Sequence, residues 1–135
     1  MPAAESLETA MLGHLFGSSS WTKPATLYIA ALITTPADVE GLVEVSAAEY
    51  ARIQRDPSDA NWLAQADNSR INAAAIEFAD PLTDWGTVKA VGLFDSATSG
   101  NLLAWQDLDA AKAVTAGGAV LVFQPGALSW KMNDV

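Results

Sequence analysis

Asp84 to Trp105 reads DWGTVKAVGLFDSATSGNLLAW, and this stretch decides the fold class. Thr87 to Phe94 is a strand-length apolar run rich in β-branched and aromatic side chains. Asp95 to Asn101 is built from the residues that favour turns, and Leu102 to Trp105 resumes the apolar run. Two such runs joined by so short a turn make a hairpin, and a hairpin implies an antiparallel sheet.

Working outward, Gln106 to Gly118 reads as strand, turn and strand despite its alanines, with Lys112 to Thr115 alternating and Gly117-Gly118 turning the chain. Ala119 to Phe123 is a further strand, Pro125-Gly126 a turn, and Leu128 to Met132 a last short strand. On the other side, Ile71 to Phe78 has strand character and ends before Pro81. Pro24 opens a run from Ala25 to Ile33 that is apolar at nearly every position after its start, the pattern of a central strand buried on both faces. Pro36 closes it, and an acidic, loop-like segment leads to Glu44. Val43 to Tyr50 holds a short strand, and Glu49 to Ile53 alternates as a half-exposed strand does.

Two segments stand apart from this pattern. Ser6 is placed to cap an amphipathic helix over residues 6–16, with Leu7, Met11, Leu12, Leu15 and Phe16 at helical spacing and Gly17 ending it. Such a helix covers one end of the sheet or docks on a neighbouring subunit. Residues 55–70 read as a long loop, with turns at Asp56-Pro57-Ser58-Asp59 and Asp67-Asn68-Ser69 and with Trp62 and Leu63 between them. A loop of that length in a compact domain points to an interface. The expected architecture is a single mainly β domain over residues 1–135, an antiparallel β-sandwich or jelly-roll-like barrel of seven to nine strands with one short N-terminal helix.

Composition narrows the function. Sixteen acids against seven lysines and arginines give a formal charge of −9, which repels nucleic acid and anionic lipid. There is no cysteine, so disulfides and thiolate metal sites do not arise. The amino terminus has no cationic, apolar leader pattern, and the run Leu27 to Ile33 is far shorter than the about 20 residues that span a bilayer. These features predict a chain made in the cytoplasm, with no membrane and no nucleic acid as partner.

Catalytic chemistry has little to work with. His14 is the single histidine and lies beside the apolar face of the expected helix, so no nucleophile and base pair can be assembled around it. Asp80 with Asp84, and Asp107 with Asp109, are carboxylate pairs, but neither has the spacing of a calcium loop, and both read as solvated surface. No enzyme activity, cofactor or metal is expected. Five tryptophans are spread through the chain; Trp85 and Trp105 flank the hairpin, where they pack as core or as a cross-strand pair, while Trp62 in its loop suits a subunit contact or stacking on a sugar. Leu12, Leu15, Phe16, Trp21, Trp62 and Leu63 are the candidate interface residues.

Several of these segments resemble small virion proteins of tailed bacteriophages, commonly labelled tail-fibre proteins. The resemblance runs through Leu12 to Gly17, Trp21 to Leu32, Glu44 to Ser46, Glu49 to Arg52, Asn72 to Phe78, Asp84 to Ala104, Lys112 to Gly117 and Pro125 to Leu128, in one order over nearly the full chain. It departs at Ala47-Ala48, where the family is glycine-rich, and over Asp56 to Asp67, which is longer here. It implies a non-enzymatic virion structural protein. The expected role is a small tail or fibre assembly subunit acting through protein contacts, as a homo-oligomer with a trimer favoured and with other virion proteins as partners. Capsid decoration is the alternative, and an adhesin tip that binds a host-surface glycan is a further one.

Overall fold

The computed structural model describes residues 3–34 and 42–132. Among them the chain forms one helix, α1 (Glu5–Phe16), and nine strands: β1 (Tyr28–Leu32), β2 (Ile53–Gln54), β3 (Trp62–Ala64), β4 (Arg70–Asn72), β5 (Ile76–Glu77), β6 (Gly86–Phe94), β7 (Leu102–Val114), β8 (Val122–Phe123) and β9 (Ser129–Trp130). The pairings between these strands are all antiparallel, in sheets ordered β2-β1-β6-β7, β3-β4-β9 and β5-β8. The protein is mainly β, as its patterning indicates.

The hairpin is the spine. Phe94 faces Leu102 and Gly92 faces Trp105 across β6 and β7, and β1 lies along the other edge of β6 from Tyr28 opposite Phe94 to Leu32 opposite Ala90. Side chains alternate across such a sheet, so β1 sends Ile29 and Ala31 to one face and Ala30 and Leu32 to the other. All four are fully buried, which is why that run is apolar without alternation.

On one face, Ile29, Ala31, Val88, Val91 and Val114 share a core with Trp62 and Trp130 of the three-stranded sheet and with Ile76 and Phe123 of the two-stranded sheet. This is a sandwich-like packing of two small sheets on a larger one. On the other face a smaller cluster gathers Ala30, Leu32, Ala90, Phe94, Leu102 and Trp105 under Ala4. The N-terminal segment also blunts the free edge of β7, where Ala3 bridges Ala104 and the Ala4 N–H donates to the Leu103 carbonyl.

Several expectations are corrected. The expected loop over residues 55–70 contains the hairpin β3–β4, closed where the Gln65 N–H donates to the Ser69 carbonyl. Trp62 is therefore a buried strand residue, 7% exposed, whose indole packs edge-on against Trp130. The turn chemistry at Asp67-Asn68-Ser69 is real, but it joins two short strands. Gly117-Gly118 turns the chain as expected, but upstream of it Gln106 to Val114 is one unbroken strand. It continues β7, with Ala90 opposite Asp107 and Val88 opposite Lys112, so Leu108 to Ala111 stand against Lys89 alone and the excess is absorbed as a bulge.

Trp85 and Trp105 are both buried but belong to the two different clusters, so they form no cross-strand pair. Ser6 does not cap α1: the cap position is Ala4, with no side-chain bond, and the Ser6 hydroxyl donates to the Leu102 carbonyl. Glu49 to Arg52 precede the strand β2 instead of forming it, and Glu44 makes a single bridge to Leu32. Residues 36–41 of the acidic segment that leads to Glu44 lie outside the described residues.

Candidate functional site

Helix α1 carries no buried residue, although half its side chains are apolar. At 100° per residue, Glu5, Glu8, Leu12, Leu15 and Phe16 fall within an arc of about 100°, and all five are exposed. Leu12 is 58% exposed, Leu15 68% and Phe16 83%. Leu7 and Ala10 lie on the opposite side, Met11 flanks Leu15, and all three are half-buried. The helix is apolar on both sides, and the domain occupies only one of them.

The domain holds α1 firmly. Beyond the Ala4 and Ser6 bonds to β7, the Trp21 N–H donates to His14 Nδ1 at 3.1 Å, folding the following segment back along the helix. Trp21 is half-buried and lines, with Leu7 and Ala10, a cleft of about 350 Å³ between α1 and hairpin residues Asp95 and Asn101. Trp21 thus seats the helix, while Leu12, Leu15 and Phe16 remain on its open side.

A second feature is a groove of about 310 Å³ where β3, β4 and β9 meet the edge of the larger sheet. Leu27, Leu93, Pro57, Trp62 and Trp130 make its apolar lining, with Lys23, Ser58, Asp59 and Arg70 around them. Arg70 donates to Asp59 at 2.6 Å and to the Trp62 carbonyl at 2.9 Å, and both charged side chains are substantially exposed. The Trp62 indole N–H is satisfied by the Arg55 carbonyl, whereas that of Trp130 is buried without a partner among the described residues. Leu63, next along β3, points outward and is 41% exposed.

The rest of the polar apparatus holds the scaffold. Arg52 makes a two-pronged pair with Glu44 at 2.9 Å and donates to the Ser96 and Ser99 carbonyls, clamping the hairpin loop. Its guanidinium also lies 3.7 Å over the Phe94 ring centre. The Tyr50 hydroxyl donates to Glu44 and accepts from the Ala31 N–H, completing the β1 edge; burial, then the bond to Glu44, pushes its pKa up. Glu49 accepts from the Trp85 indole and from the N–H groups of Leu82 and Thr83, and the Trp85 bond leads in lowering its pKa from 4.5 to about 2. Asp67 is likewise lowered, by the Ser69 hydroxyl first.

Asp84 accepts from the Ala116 N–H, Asp95 from the Asn101 N–H, and Asp107 and Asp109 are exposed. Sequence reasoning missed the groove because its lining comes from five separated segments. It also missed the Glu44–Arg52 clamp, for which the alternation of Glu49 to Arg52 offered no signal beyond a strand.

Residues 2–131 match the model of the family described as "Podophage GP4 fiber I protein gp80". No curated protein matches the chain.

Proposed function

The chain belongs to this podophage fibre family of virion structural proteins, and from that premise we propose that it is a non-enzymatic tail-fibre subunit that works by binding other proteins. The observation that carries the reading is the outward face of α1. A domain that buries both faces of its main sheet leaves Leu12, Leu15 and Phe16 together in solvent, on a helix fixed by backbone bonds. Contiguous exposed apolar side chains of this kind mark a partner surface. The partners are other virion proteins and further copies of the chain, in a closed cyclic assembly with three copies as the expected number.

Copy number and position in purified virions test this reading. Quantitative mass spectrometry with antibody labelling is expected to find a few copies per particle, on the tail. Hundreds of copies spread over the head favour capsid decoration instead. Burial of Trp62 leaves little ring face for a sugar, so the glycan reading ranks behind both; adsorption that depends on Trp62 would reverse that order.

A further inference from the structure

The open face of α1 and the tryptophan-walled groove are two halves of one contact, and we infer that α1 of one copy docks in the groove of the next. The inference rests on the fibre-subunit reading and adds to it a mode of assembly. Three observations support it.

The shapes and polarity match. The helix presents Leu15 and Phe16 as its most exposed apolar side chains, at its C-terminal end. The groove, at about 310 Å³, has room for an aromatic side chain with a leucine beside it, and its floor is apolar, from Leu27, Leu93, Trp62 and Trp130.

The charges match as well. The helix face carries Glu5 and Glu8, while the groove carries Lys23 beside the Arg70–Asp59 pair, a net positive charge. In a chain of formal charge −9, a locally cationic groove selects the acidic, apolar face over most of the molecule's own surface.

The third point is geometric. The helix cannot fill the groove of its own copy while Ala4 and Ser6 tie it to Leu103 and Leu102 of β7. A contact between two different patches of the same chain is heterologous, and a heterologous contact closes into a ring when the rotation between copies permits. An isologous helix-to-helix contact would instead leave Lys23 and the apolar lining of the groove uncovered.

Sedimentation and light scattering of the full chain over a range of concentrations provide the test. Wild-type protein is expected to associate, and Phe16→Asp to weaken that association by about 30-fold, the equivalent of about 2 kcal/mol for a buried aromatic anchor. Lys23→Glu combined with Arg70→Glu is expected to weaken it too, with circular dichroism checking that each variant folds; Lys23→Glu alone gives a milder form of the same loss. Mixing the helix variant with the groove variant should restore a one-to-one dimer and nothing larger, since each supplies the half the other lacks.

A chain that stays monomeric, or an oligomer indifferent to either set of substitutions, overturns the inference. So does a groove whose tryptophan emission answers N-acetylglucosamine while the chain remains monomeric. A chain present in virions yet monomeric defeats this contact alone, whereas absence from virions defeats the fibre reading itself.

Discussion

At the scale of the residue, Glu49 links the loop before β6 to the core. Its carboxylate takes the Trp85 indole N–H and the N–H groups of Leu82 and Thr83, all of which favour the ionised form. Because its pKa falls from 4.5 to about 2 on folding, it contributes stability that is fully present above pH 4.5 and is lost as pH falls toward 2. Glu49→Gln should therefore flatten the stability profile across that acid window, as read by urea midpoints at successive pH values; an unchanged slope would refute the assignment. Gly100 is the second such point. It has φ +72°, and a Cβ there would stand 2.6 Å from both Asp95 Oδ1 and Ser96 Cβ, so Gly100→Ala should cost about 2 kcal/mol in the same denaturation assay. The turn at Gly100 was legible from composition, since few other residues accept that backbone. Glu49 was not, because a hydrogen bond to an indole thirty-six positions away leaves no local pattern.

At the scale of the element, strands long enough to display a period were legible and short ones were not. The hairpin β6–β7 and the fully buried β1 showed themselves by apolar runs, but β3, at three residues, is too short to alternate and was read as loop. What sustains such fragments is a polar residue placed between them. Asn72, at the end of β4 and 2% exposed, donates to the Ala74 and Gln124 carbonyls and accepts from the Leu128 N–H, tying β4 to the segments that lead from β8 and into β9. Replacing it by alanine orphans the buried Leu128 N–H and hands the Ala74 and Gln124 carbonyls of exposed residues to water, an expected loss of about 2 kcal/mol in urea unfolding, with amide exchange accelerated at Leu128 first. Arg52 does similar work for the hairpin loop. Arg52→Ala leaves Glu44 without its cationic partner and frees the Ser96 and Ser99 carbonyls, and should cost about 3 kcal/mol while loosening residues 95–101 in amide exchange.

At the scale of the whole molecule, the core that supplies stability lies apart from the α1 face proposed for assembly, and that separation can be measured. The larger core is shared by all three sheets, from Ile29 through Trp62 and Ile76 to Leu128, so no sheet can leave without exposing the others. Unfolding should then be a single transition in which tryptophan emission and circular dichroism coincide. Ile76→Ala, at a fully buried position, is expected to lower its free energy by about 3 kcal/mol. Phe16→Ser and Leu15→Ser, by contrast, alter side chains that touch little of their own domain, and at concentrations where copies are apart they should shift it by less than about 0.5 kcal/mol. Raising the concentration should reveal a difference between wild type and these variants, because a contact made only in the folded state adds stability by mass action. If Phe16→Ser instead destabilises the dilute chain as much as Ile76→Ala does, α1 packs against its own domain in solution, and its apolar face is core, not an interface. The helix face was legible in sequence as apolar spacing, but which side of α1 the domain would leave open was not, since both sides of it are apolar.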